Sequence, residues 1–174
     1  MNPIPLHVIH LDQDDPKKCT SKRLQAYNLV TLHSKPEKAP RRGFLLDPNS
    51  NMVLSPLDKR LMELGGSIVV LDCSWKRIGE SIDSIQNKSR LDGRVLPSLL
   101  AANQVSWGKI GRLSSVEALA ASLMILGWSK QAKEILDPFP FGDHFLELNQ
   151  QPLKAYSNAK TIEEVLSFQN EFFE

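Results

Sequence analysis

The sequence predicts an α/β fold, with a parallel sheet and its helices in the first half and helices alone in the second. Three observations carry this expectation. Up to about residue 93, short apolar runs alternate with short helical patterns, as strand–helix–strand units require. Within that stretch, "SIVVLDCSW" (67–75) opens with a nearly unbroken, β-branched apolar run, the pattern of a strand buried on both faces. From residue 94 onward one last apolar run gives way to apolar residues at three- and four-residue spacing, the helical period. The chain divides on this basis into an α/β half, 1–93, and a helical half, 94–174.

Taken in order, "LHVIHL" (6–11) reads as a strand, "KKCTSKRLQAYN" (17–28) as a helical turn or two, and "NLVTLH" (28–33) as a second strand. "SKPEKAPRRG" (34–43) is a loop, because prolines and clustered basic residues interrupt any apolar period. "GFLLDP" (43–48) is a short buried strand ended by Asp47-Pro48. In "LSPLDKRLMELGG" (54–66), Ser55 stands at the cap, Pro56 at the first helical position and two glycines at the end, a full helix signature. It leads straight into "SIVVLDCSW". "RVLPSLLAANQVSWG" (94–108) carries Pro97 inside an apolar run; a segment lacking that donor cannot give a full ladder and suits an edge or an irregular passage. Ser114 or Ser115 then caps a long helix with Glu117 in its first turn. "SKQAKEILDPF", "DHFLELNQQPLKAYSN" and "TIEEVLSFQNEFFE" continue as amphipathic helices.

The 174 residues, 41% hydrophobic and 24% charged, are enough to build a sizeable core. A net charge of +1 argues against attachment to nucleic acid by bulk charge, so an RNA partner must be met by local patches. Cys19 and Cys73 are far apart and form no metal-type pair, which fits a reducing compartment. The start "MNPIPLHVIHLDQDD" lacks a basic stretch followed by a long apolar one, and no run approaches the roughly 18 apolar residues of a membrane span. A soluble, intracellular protein is expected.

Two motifs point to chemistry. "DPKKCTSKRL" (15–24) sets Lys17, Lys18, Thr20, Lys22 and Arg23 around a helix start; this is either a solvated basic helix or a site for a phosphate or carboxylate. In "VVLDCSW", Asp72 follows the run "IVVL" directly. Burying a carboxylate costs several kcal/mol unless it is paired, so Asp72 should face a cleft or a polar partner at the carboxyl edge of the sheet, where open α/β sheets bind ligands. Trp75, three residues on, is either a core residue or a surface for a purine or a sulfonium. His7 and His10 near Asp12, Asp14 and Cys19 suggest a metal, but side chains three apart on an extended segment point to opposite faces, and no metal is expected. Glycine-rich phosphate loops and nucleophile-elbow motifs are absent from the sequence.

In combination, "DPKKCTSKRL", "LLDP", "LSPLDK", "VVLDCSW", "RVLPSLLAANQVSWG" and "LSSVEALAASLMILG", in this order, resemble the small-subunit ribosomal RNA aminocarboxypropyltransferase family over nearly the whole chain. The resemblance implies a SPOUT-like fold with a deep trefoil knot threaded near Leu96, a cytoplasmic enzyme of ribosome biogenesis, and ribosomal RNA or a pre-ribosomal particle as partner. The implied reaction moves the 3-amino-3-carboxypropyl group of S-adenosylmethionine to ring N3 of a modified uridine, typically N1-methylpseudouridine. Methylthioadenosine leaves.

By the same resemblance Trp75 packs near the sulfonium methyl, with Ile78 completing that wall. Leu46 and Pro48 on one side and Leu96 and Leu113 on the other enclose adenine, and the backbone near Gly111 reads its edge. Main-chain atoms at Leu71 meet the ribose hydroxyls, Thr20 binds the carboxylate, and Ser115 lies nearby. Asp72 is the implied catalytic candidate, as base for the N3 proton or as holder of the donor's amino group. Lys17, Lys18, Lys22, Lys59, Arg60, Arg94 and Arg112 are candidates for the RNA path, and the loop 35–42 for a further phosphate contact. Two positions depart from the family pattern: Trp107 stands where tyrosine is common, and Gly111 leaves only main-chain contact. A SPOUT-type methyltransferase and a non-catalytic pre-ribosomal RNA-binding assembly factor are the alternatives, and a helical half that completes its own pocket favours a monomer.

Overall fold

The computed structural model describes residues 1–11, 20–72, 82, 83, 85 and 90–174. Five strands, β1 (Leu6–His10), β2 (Thr31–His33), β3 (Gly43–Leu46), β4 (Ser67–Asp72) and β5 (Asp92–Arg94), form one sheet in the order β2-β1-β4-β3-β5. Every pairing is parallel. β4 is central, with Leu6 opposite Ile68 and His10 opposite Asp72 on one side, and Phe44 opposite Ile68 on the other.

Alternation along the strands sends side chains to two cores. Leu6, Val8, Phe44, Ile68 and Val70 face the larger one, which also takes in helical residues as far as Val165. Ile9, Leu45, Val69 and Leu71 face the smaller one, with Ile82, Ile85 and Leu91. The apolar run of β4 is therefore explained: both of its faces are covered. Gly43 is fixed by the pairing of β3 with β4. Its φ is +134°, and a Cβ there would stand 1.9 Å from the Ser67 carbonyl oxygen, a contact no other residue type can make.

α1 (Thr20–Ala26) follows β1, and a 3-10 turn over Pro56–Asp58 opens α2 (Lys59–Glu63). Ser55 caps that turn: its hydroxyl accepts from Leu57 N while Asp58 accepts from Ser55 N. Among the described residues, the helical half holds α3 (Ser115–Leu126), α4 (Ser129–Leu136), α5 (Gly142–Leu148), α6 (Gln150–Asn158) and α7 (Ile162–Phe173). α3 is buried almost all round, because it packs against α1, α4, α6 and β4 at once. Ser114 caps it in a reciprocal pair with Glu117, and Gly127, at φ 99°, ends it in the left-handed conformation.

Two elements differ from the sequence expectation. The second strand is only Thr31–His33, and β5 is the polar stretch Asp92–Arg94, which sequence pattern does not mark as a strand. β5 forms because β3 offers it a ladder, with Phe44, Leu45 and Leu46 opposite Asp92, Gly93 and Arg94; tertiary pairing overrides weak local propensity. Val95 continues the contact through a parallel bridge to Val53. Beyond it the proline-bearing run passes irregularly through the molecule. Leu100 and Ile110 make an antiparallel bridge, and side chains supply most of the other partners described below.

Candidate functional site

Every strand of a parallel sheet ends on the same edge, and here that edge opens into a cleft of about 1440 Å³. The ends of β3 and β4 supply Leu46, Asp47, Pro48, Leu71 and Asp72. Thr20, the first residue of α1, enters from one side. Leu96, Gly111, Leu113, Ser114 and Ser115 enter from the other, where the irregular segment meets the start of α3. Phe139 and Phe141 close a further wall.

Each wall is held in place by hydrogen bonds. At the end of β3, Asn49 N donates to Asp47 Oδ1 (2.8 Å) and Asp47 N donates to Arg94 O (2.8 Å), an Asx turn that fixes Leu46 and Pro48. At the end of β4, Leu11 N donates to Asp72 O (3.3 Å), and the buried His10 brings Nε2 to 3.7 Å from Asp72 Oδ2. The expectation that Asp72 faces a cleft and a polar partner thus holds on both counts.

The third wall depends on Glu117. Its carboxylate is fully buried and accepts from Ala102 N (2.7 Å), Asn103 Nδ2 (2.9 Å) and Ser114 N (2.8 Å). Charge-assisted bonds of this kind are the strong ones; those from Ala102 and Asn103 tie the irregular segment to the start of α3, and the one from Ser114 closes the helix's own cap. Further along, Asn149 accepts from Leu100 N (2.7 Å) and donates to Leu100 O (2.9 Å), Tyr156 Oη donates to Ser98 O (2.9 Å), and Gln169 Oε1 accepts from Ser98 N (2.8 Å). Burial raises the Tyr156 phenol above its ordinary pKa of 10.0, so it stays a donor.

The residues named from sequence as binding a donor molecule come together as follows. Thr20, Leu46, Pro48, Leu71 and Asp72 line the cleft with Leu96, Gly111, Leu113 and Ser115. Trp75 and Ile78 lie outside the described residues. Of the basic residues, Arg112 lines the cleft, and Lys22 is on α1 beside Arg23, which also lines it. Arg60 is exposed on α2, while Lys59 has Nζ 5.7 Å from the centre of the Trp128 ring. Arg94 is engaged within the fold, with Nε 3.3 Å from Asp58 Oδ2 and its guanidinium 4.8 Å from the centre of the Phe44 ring. Lys17 and Lys18 lie outside the described residues.

Arg23, named with the basic helix start, does line the cleft, whereas sequence reasoning missed Tyr27, Lys109, Phe139 and Phe141 as lining residues. The signal for the last two is the rigid "DPFPF" between α4 and α5. Arg23 stands over Phe139 at 5.7 Å, which joins α1 to that wall. Ala102 and Asn103 as partners of Glu117 left no local signal, since they lie more than a dozen residues upstream.

His7 and His33 meet across β1 and β2, with Nδ1 of one 2.9 Å from Nε2 of the other and their rings stacked. Among the described residues no group of three or more histidine, cysteine, aspartate or glutamate side chains could hold a metal ion. No helix among them is long and apolar enough to cross a membrane.

Comparison with known proteins places these features in context. A family model described as "Ribosome biogenesis protein, C-terminal" matches residues 44–173. A second, described as "Possible Fer4-like domain in RNase L inhibitor, RLI", matches residues 4–38. That stretch contains Cys19 as its single cysteine, whereas an iron–sulfur cluster takes four thiolates, so the donor set does not fit a cluster. The 16S rRNA aminocarboxypropyltransferase of Methanococcoides burtonii is 43% identical, over 96% of this chain and 94% of its own. The protein of the same name from Methanopyrus kandleri is 41% identical, over 95% of this chain and 96% of its own. Among solved structures, the SAM-dependent rRNA:acp-transferase Tsr3 from Vulcanisaeta distributa superposes with a TM-score of 0.84 at 32% identity, covering 98% of this chain and 89% of the other.

Proposed function

The chain belongs to the 16S rRNA aminocarboxypropyltransferase family, and from that membership we propose that it is the enzyme that moves the 3-amino-3-carboxypropyl group of S-adenosylmethionine to ring N3 of a modified uridine, of the N1-methylpseudouridine type, in small-subunit ribosomal RNA. One observation carries the reading: apolar, hydroxyl and carboxylate groups from Thr20 to Ser115 converge on a single cleft at the carboxyl edge of the sheet. Such a set suits a nucleoside joined to an amino acid.

In this reading Leu46 and Pro48 face Leu96 and Leu113 across the adenine, and main-chain atoms at Leu71 and Gly111 take the ribose and the purine edge. Thr20 and the start of α3 at Ser115 receive the carboxylate, where backbone N–H groups and the helix dipole favour an anion. The donor supplies a sulfonium with three electrophilic carbons, and orientation decides which of them meets the nucleophile. Trp75 and Ile78 are assigned to cover the methyl, leaving the γ-carbon open to RNA. Asp72 either takes the N3 proton or holds the amino group, with His10 behind it fixing its position.

In this reading residues 1–93 carry donor and RNA binding and 94–174 complete the pocket within one chain, which supports action as a monomer; a cytoplasmic site of action belongs to the same reading. Lys22, Lys59, Arg60 and Arg112, with Lys17, Lys18 and Arg94, are assigned to the RNA path. A SPOUT-like fold with a deep trefoil knot threaded at the proline-bearing run near Leu96 is part of the same reading. Its support is the way that segment is fastened by side chains of Glu117, Asn149, Tyr156 and Gln169 rather than by a strand ladder.

The test is transfer to small-subunit rRNA from donor labelled separately in the methyl and in the methionine carboxyl. Carboxyl label in the RNA with none from the methyl is the expected result. Methyl label in the RNA would make the chain a methyltransferase, and RNA binding without donor binding would make it an assembly factor.

A further inference from the structure

The loop from Asn103 to Arg112 presents apolar surface at the mouth of the cleft. Val105 is 78% exposed, Trp107 57% and Ile110 54%. Single exposed apolar residues are ordinary, but a group of three within six positions marks a contact surface. The loop is also built to hold its shape. Gly108 N donates to Ala101 O (2.7 Å), Lys109 N to Ser106 O (3.0 Å) and Ser106 N to Asn103 Oδ1 (2.9 Å). Asn103 is itself fixed by the buried Glu117 and by the Arg112 carbonyl. The indole is therefore kept out in solvent, with an edge-on contact at 6.0 Å to the exposed ring of His144.

The loop's own charge is basic: residues 103–112 contain Lys109 and Arg112 and no aspartate or glutamate, while the nearby acids, Asp143 and Glu147 beside His144, come from another element. Val105, Ser106, Lys109 and Arg112 line the cleft itself, so the exposed indole borders the place where the reacting nucleotide must enter. A flat aromatic face flanked by cations suits an unstacked base and its phosphates, the form in which proteins read single-stranded RNA.

We propose that Trp107 is a stacking platform for an unpaired base next to the nucleotide that enters the cleft, with Lys109 and Arg112 on the flanking phosphates. The inference deepens the ribosomal RNA reading and rests on it for the identity of the substrate. It assigns the loop a part in choosing which nucleotide is presented.

The test uses the full chain and a single-stranded small-subunit rRNA fragment bearing 2-aminopurine beside the target position. Binding is followed by quenching of that fluorophore and by anisotropy, and donor affinity by calorimetry. Trp107→Ala is expected to abolish the quenching and to weaken RNA binding roughly 10- to 100-fold, with donor affinity and Tm as in the wild type. Trp107→Phe restores most of the binding, since a ring remains to stack. Wild-type RNA affinity in Trp107→Ala overturns the inference, as does failure of the wild type to bind the fragment. So does a dimer that dissociates in Trp107→Ala while RNA affinity stays unchanged. Because binding is read without transfer, a chain that stacks RNA on Trp107 but transfers no carboxyl label contradicts the reaction and leaves this inference standing.

Discussion

Glu117 is legible in the sequence as the third residue of a capped helix, and the structure gives that carboxylate two further partners, Ala102 N and Asn103 Nδ2. Local pattern reveals a cap because the cap is local; it cannot reveal bonds to a segment brought back by the fold. His7 and His33 make the same point. Sequence spacing rules out His7 and His10 as a pair, and the true neighbour of His7 comes from another strand. Burial lowers the pKa of His7 below the ordinary 6.5, and the charge of His33 lowers it further; burial and then Lys38 do the same for His33. A second proton would set two N–H groups face to face. The unfolded chain thus binds more protons than the folded one just below pH 6.5, so stability is lost as pH falls through that region. Urea midpoints measured from about pH 7.5 down to about pH 5.5 should decline, and His33→Asn should flatten the decline. An unchanged slope in the variant contradicts the pairing.

At the scale of elements, the segment from Leu96 to Leu113 decides the shape of the site. Pro97 signals from sequence that this run is no ordinary strand. Which groups replace the missing ladder is not legible, because Asn149, between α5 and α6, and Tyr156 and Gln169, within α6 and α7, lie far downstream and look there like ordinary polar positions. Asn149 is fully buried and serves Leu100 N, Leu100 O and Phe145 O. Asn149→Ala strands those groups and should cost roughly 2–4 kcal/mol in urea unfolding, since each buried unpaired group costs about 1–3 kcal/mol and part of the loss relaxes. Tyr156→Phe removes a single bond to Ser98 O (2.9 Å) and should cost about 1 kcal/mol. Equal, small effects from both would mean that the segment is held by apolar packing instead.

For the whole molecule, the order of layers follows from hydrophobic pattern: buried runs at 6–11, 43–46 and 67–72 become the parallel strands β1, β3 and β4, and the three- to four-residue period becomes the helical layer. β5 escaped that logic, since Asp92, Gly93 and Arg94 have no strand pattern of their own and pair only because the edge of β3 is there. The cleft was legible where chemistry interrupts pattern, at Asp47-Pro48 after β3 and at Asp72 after β4, both on the carboxyl edge. The aromatic wall and the exposed loop were not, because exposure is set by the packing of distant helices. The central claim is that this cleft holds S-adenosylmethionine with its amino-acid arm toward the RNA. A crystal structure of the chain with the intact donor tests it most directly. Density should run from adenine between Leu46 and Leu96 to a carboxylate at Thr20, with Asp72 beside the amino group or the open face, the methyl enclosed and the γ-carbon in view of the Trp107 loop. A donor bound elsewhere, or one with its methyl facing the opening and its propyl arm enclosed, contradicts the account.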